Sequence, residues 1–131
     1  MKEYYKTNGF YSPLRLFTID QANEYRVKLE LAESKIGPLH YFAKTYTMMR
    51  WVYEVATNII MLDFVENLIG NNILLYNSTF IIKEPKSKTH VSWHQDLTYW
   101  GFDNNEKQVS AWIALSNVND LSGCMQMIPG S

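Results

Sequence analysis

The sequence predicts an α+β protein in which helices lead and an antiparallel sheet or barrel follows. Three observations predict it. Apolar residues recur at helical spacing as far as Gly70, and beyond Gly70 the period falls to two. Apolar residues also make up 47% of the 131 positions against 19% charged, the balance of a chain that buries a core rather than one that stays disordered.

The first helix follows from its ends. Thr18 and Gln21 have capping-box spacing, and Asp20 lies in the first turn, where a negative charge suits the helix dipole. Ala22, Tyr25, Leu29, Ala32 and Ile36 then fall on one face, and Gly37-Pro38 ends the run. A second helical region covers Tyr41 to Ile69, with a break at Thr57-Asn58 and a stop at Gly70. Met48, Met49, Trp51 and Tyr53 cluster on it, and core packing accounts for them.

From Ile73 to Lys83, β-branched and aromatic residues dominate, and Pro85 closes the segment. As a strand, it would set Asn77, Thr79, Ile81 and Lys83 on one face and Leu74, Tyr76, Phe80 and Ile82 on the other. The polar face would be costly to bury unless it lined a cavity. Further strands are expected over Val91–Thr98, Gln108–Leu115 and, after the Ser122-Gly123 turn, Cys124–Ile128. The chain is one domain's worth of sequence at most. It stops at Met127-Ile128-Pro129-Gly130-Ser131 with no closing element, so it is expected to be part of a larger domain.

Charge and composition set aside several functions. Twelve basic residues against thirteen acidic ones leave no broad nucleic-acid footprint. No run of about 18 apolar residues is present for a membrane span, and the opening MKEYYKTNGF lacks the apolar stretch of a secretory signal. The single cysteine, Cys124, fits a cytoplasmic location and reads as a small buried hydrophobe. His40, beside the Gly37-Pro38 turn, reads as structural.

The chemistry concentrates in VSWHQDLTYWGF, Val91 to Phe102. On a strand, His94 and Asp96 would project together with Gln95 turned away. An imidazole nitrogen and a carboxylate oxygen side by side are two groups of the 2-His-1-carboxylate triad that holds non-haem Fe(II). A His-x-Asp triplet alone is equally a surface histidine beside an acid. Trp93, Tyr99 and Trp100 around it give the apolar walls and sparse polar groups of a ligand pocket. Trp112 shares its face with Ser110, Ala114 and Ser116, so space is left in front of its ring. Tyr99 and Trp100 either shape a substrate mouth or cover a barrel end. His90 either touches substrate or ends a loop.

The run FIIKEPKSKTHVSWHQDLTYWGF, then VSAWIALSNVNDLSGCMQMIPGS, resembles the phytanoyl-CoA dioxygenase family of Fe(II)/2-oxoglutarate oxygenases. The shared features are Lys-x-Pro at Lys83 to Pro85, His-x-Asp at His94 to Asp96, Trp-Ile-Ala at Trp112, and Gly123-Cys124 followed by Ile-Pro-Gly-Ser. The resemblance implies a double-stranded β-helix (a jelly roll) with the N-terminal helices, residues 1–70, packed outside and residues 71–131 supplying its first strands. It implies that His94 and Asp96 hold Fe(II), and that Thr79, Trp112 and Lys44 contact 2-oxoglutarate, with Gln95 set among these co-substrate contacts. The second metal histidine and the 2-oxoglutarate-binding arginine would lie beyond Ser131.

The activity so implied is hydroxylation of an unactivated C–H bond of a small organic or acyl substrate by O2, with release of succinate and CO2 and with ascorbate as reductant. Family members that halogenate carry a small residue in place of the carboxylate, so Asp96 favours hydroxylation. The alternative is a jelly roll that binds without oxidising, or an inactive remnant. A chain ending at Ser131 is expected to be inactive alone and to self-associate through unpaired sheet edges.

Overall fold

The computed structural model describes residues 1–101 and 107–131; Phe102, the last ring of the aromatic run, lies outside them. The helical half forms where the sequence punctuates it. Helix α1 spans Lys2–Asn8 and α2 spans Ile19–Ile36. At the head of α2 the Thr18 hydroxyl accepts from the Gln21 backbone at 3.2 Å, and the Gln21 side chain accepts from the Thr18 backbone at 2.9 Å. Two N–H groups that a helix start leaves orphaned are thereby satisfied. Gly37, at φ 91°, turns the chain out of α2 through backbone space that a side chain disfavours.

The second helical region divides as expected. Helix α3 is Arg50–Ala56 and α4 is Ile59–Ile69, ending at Gly70. Asn58 at the break caps α4, its side-chain oxygen accepting from the Ile60 and Met61 backbones. Residues 41–44 are not helical, contrary to expectation. Tyr41 and Lys44 both take positive φ, and a single 3-10 turn over Thr45–Thr47 precedes α3.

That irregular stretch holds the second half of the chain to the first. Tyr41 N–H donates to the Phe80 carbonyl at 2.9 Å and Thr45 N–H to the Ser78 carbonyl at 3.2 Å. Lys44 N–H donates to Asn77 Oδ1 at 2.8 Å, and Ile82 N–H donates to His40 Nδ1 at 2.9 Å. At the centre Thr45, with 0% of its surface exposed, shares a 2.8 Å hydrogen bond with the Ser78 hydroxyl. Around this seam Leu39, Val52, Val55, Leu29 and Met61 make a small apolar core. Rings extend it, from Phe17 to Tyr25, Tyr25 to Trp51, and Trp51 to Phe80, with centroids 5.0–5.8 Å apart.

The four expected strands are corrected. Among the described residues there is no named strand, only an isolated parallel bridge between His40 and Phe80. The physical reason is pairing. A strand exists through a neighbour's backbone groups, and residues 77–82 direct theirs to the 40–46 loop instead. Residues 108–115 and 124–128 have no ladder among the described residues, so alternation of apolar and polar side chains is not enough to assign them. The barrel is therefore not formed by the described residues.

Replacing Thr45 by Val keeps its shape but deletes the hydroxyl bonded to Ser78. It should lower unfolding stability by about 1–2 kcal/mol, the cost of stranding a buried polar partner. A lowered urea midpoint is expected; an unchanged one would show that the Thr45 hydroxyl contributes nothing to the seam.

Candidate metal centre

His94 and Asp96 come together, but not on a strand. Asp96 takes helical backbone angles (φ −52°, ψ −40°) and precedes a short helix, α5, over Leu97–Trp100. Thr98 N–H reaches the Gln95 carbonyl at 3.1 Å and Tyr99 N–H the Asp96 carbonyl at 3.0 Å. An acid ahead of LTYW, with Gly101 in the left-handed region behind it, favours this single turn over extended backbone. The turn brings the two side chains within contact, as the strand would have done by alternation.

The contact is specific. His94 Nε2 lies 3.0 Å from Asp96 Oδ1, and Nδ1 lies 2.7 Å from the Ser92 carbonyl. A carbonyl and an ionised carboxylate can only accept, so both contacts are hydrogen bonds only when both ring nitrogens carry protons, in the imidazolium form. The Ser92 carbonyl, foremost, and Asp96 raise the His94 pKa above the usual histidine range, against partial burial, which lowers it. On its other oxygen, Oδ2, Asp96 accepts from Ser110 Oγ at 2.6 Å. The Tyr99 ring stands edge-on to His94 with centroids 5.6 Å apart.

This donor set suits two positions of a metal. An imidazole nitrogen and a carboxylate oxygen are the donor types such a metal takes, and they face each other at 3.0 Å, an ordinary hydrogen-bond length. The ion would take the place of the shared proton, which Nε2 must release to bind it. Among the described residues no group of three His, Cys, Asp or Glu side chains is suited to a metal. The pair supplies two donors.

The other predicted residues divide between two regions. Lys44 and Thr79 both belong to the seam: the Lys44 backbone donates to Asn77, and Thr79 follows Ser78, the partner of Thr45. Trp100 packs edge-on against Tyr76 at 5.2 Å, which ties α5 to the segment carrying Thr79. Gln95 lies in the turn between the two metal candidates. Trp112 is 43% exposed and Tyr99 75%, and Thr79 and His90 are also exposed, so these side chains do not form a closed pocket among the described residues. Lys83 Nζ donates to the Gly123 carbonyl, joining Lys-x-Pro to Gly-Cys. A Cβ on Gly123 would stand 3.0 Å from that nitrogen, so the lysine end would have to shift by a few tenths of an ångström. Cys124 donates its thiol to Asp120 at 3.3 Å, which raises its pKa and keeps it protonated.

Ser110 is the participant that spacing did not reveal as one. Alternation makes it a small neighbour in front of Trp112; its hydroxyl was the available signal.

With the fold and this cluster in view, comparison with known proteins places the chain. The family model described as Phytanoyl-CoA dioxygenase (PhyH) matches residues 15–131, and the chain belongs to that family. Bovine peroxisomal phytanoyl-CoA dioxygenase is 34% identical over 74 residues, covering 54% of this chain and 22% of that protein. The zebrafish phytanoyl-CoA dioxygenase domain-containing protein 1 is 26% identical over 134 residues, covering 98% of this chain and 43% of that protein. A probable alpha-ketoglutarate-dependent hypophosphite dioxygenase of Stutzerimonas stutzeri is 32% identical over 71 residues, 54% of this chain and 24% of that protein. The chain thus spans less than half the length of each of these relatives. No solved structure gives a significant match. Among the described residues, no helix is long and apolar enough to cross a membrane.

The imidazolium makes a prediction for the metal-free chain. A raised histidine pKa means that the pair's stabilisation is present below the ordinary value of about 6.5 and is lost as pH rises through the raised value. In an NMR titration, His94 should deprotonate above a random-coil histidine. Asp96→Asn should lower its midpoint only in part, because the Ser92 carbonyl remains. An identical midpoint in wild type and variant would mean that the contact is absent in solution.

Proposed function

We propose that the chain is the metal-binding part of an Fe(II)/2-oxoglutarate-dependent oxygenase that hydroxylates an unactivated C–H bond of a small organic or acyl substrate, releasing succinate and CO2. The observation that carries this reading is the His94–Asp96 pair, whose facing atoms lie 3.0 Å apart in the chain's His-x-Asp motif. Membership of the phytanoyl-CoA dioxygenase family supports it. So does the similarity to a relative whose name includes alpha-ketoglutarate dependence.

In this reading His94 Nε2 and Asp96 Oδ1 hold Fe(II). When bound, the iron supplies activation of O2 coupled to decarboxylation of 2-oxoglutarate. The chain's own residues position the reactants and exclude water. Lys44 and Thr79 would offer a cation and a hydroxyl to a dianionic co-substrate, and Trp112 and Gln95 would flank it. Tyr99, Trp100 and His90 border the substrate. The jelly-roll barrel belongs to this proposal too, with residues 71–131 as strands paired in the complete domain. Ascorbate would keep the iron reduced.

The test is substitution of the pair in the full-length protein. His94→Ala and Asp96→Ala should each depress 2-oxoglutarate consumption by more than the ~10–100-fold typical of residues outside the first coordination shell, with the circular dichroism spectrum unchanged. Wild-type turnover by either variant would remove the metal assignment. A wild-type protein without the visible charge-transfer band of an anaerobic Fe(II)–2-oxoglutarate chelate would instead be a binding module.

A further inference from the structure

The Asp96 carboxylate has two oxygens with different tasks. Oδ1 faces His94 Nε2 at 3.0 Å, in the position suited to a metal. Oδ2 is taken by the Ser110 hydroxyl at 2.6 Å, fourteen residues along the chain. A 2.6 Å O–H···O contact is in the range of a charge-assisted bond to an ionised carboxylate, the stronger class of hydrogen bond. Asp96 has helical backbone angles and makes no capping bond to α5. Its carboxylate is shared between His94, two residues back, and Ser110, fourteen residues on.

We propose that Ser110 is the positioning residue of the metal centre, fixing Asp96 as a ligand through Oδ1 alone. The inference rests on the reading of Asp96 as a metal ligand. Its physical content is a rotation. A free carboxylate can turn about its last bond, swing away, or offer both oxygens to the same ion. With Oδ2 committed to Ser110, rotation is stopped and chelation by both oxygens is blocked. One more coordination position then stays available for small molecules. Ser110 itself touches no metal in this arrangement.

The account distinguishes hydroxyl from bulk. Threonine at position 110 keeps a donor on the same atom, whereas alanine keeps the backbone and loses it. Ser110 is exposed, so neither change opens a cavity in the core.

The experiment measures Mn(II) affinity of the full-length protein by electron paramagnetic resonance, for wild type, Ser110→Ala, Ser110→Thr, Asp96→Ala and the double variant Asp96→Ala/Ser110→Ala. Ser110→Ala should weaken binding about 10–100-fold, the range for partners that orient a ligand, and Ser110→Thr should retain most of the affinity. The double variant should bind no worse than Asp96→Ala, since a residue acting through Asp96 has nothing left to act on. Unchanged affinity in Ser110→Ala, with loss in Asp96→Ala, would overturn the positioning role while leaving the metal reading intact. Equal loss in Ser110→Ala and Ser110→Thr would overturn it as well, showing that packing rather than the hydroxyl matters. Unchanged affinity in Asp96→Ala would overturn the metal reading, and this inference with it.

Discussion

The hydroxyl of Thr45, fully enclosed and bonded to Ser78, lies at the centre of the seam that joins the two parts of the chain. On the first side α2 and α4 are locally determined, set by caps at Thr18 and Asn58 and stopped by Gly37 and Gly70. Segment 77–82 on the other side has no strand neighbour among the described residues beyond the His40–Phe80 bridge, and takes its backbone partners from 40–46. An unmet backbone group is expensive once shielded from water, so this docking fixes where the segment lies. Trp51 against Phe80 adds apolar area to the same joint. From there Tyr76 reaches Trp100, next to the turn that carries Asp96.

At that turn one carboxylate organises three elements. It meets the ring of His94 from its own turn, the hydroxyl of Ser110 from a distant segment, and it stands at the head of α5. In the proposed reading a cation would take the place of the proton between His94 and Asp96. Both partners are half-exposed, so exchanging it for an ion would not require burying an unpaired charge. The same openness makes the proton bond weak in water. The cluster accordingly presents an arrangement of donors more than a source of stability.

The sequence made the local features legible because they are decided within a few residues. The capping box at Thr18 and Gln21, the break at Thr57-Asn58 and the stops at Gly37 and Gly70 are of this kind. The approach of His94 to Asp96 was also foreseen, for a reason only half right. Positions i and i+2 share a side on a strand, but here a turn into α5 brings them together. Strands were less legible because a strand depends on partners elsewhere, and alternation in Ile73–Lys83 does not name them. The seam was invisible for a related reason. Nothing in the spacing of Tyr41 to Lys44 reveals that two of these residues take positive φ so that loop backbone can face Ser78 and Phe80. Ser110 was hidden because long-range polar pairs leave no periodic trace.

The proposed function requires a divalent cation between His94 and Asp96. The most direct measurement is amide-resolved NMR of the full-length protein during titration with substoichiometric Mn(II), whose unpaired electrons broaden nearby signals. His94, Asp96 and Ser110 should broaden first, together with Gln95 between the first two. Broadening centred on the carboxylates of α4, Asp63 and Glu66, with His94 still sharp, would contradict it.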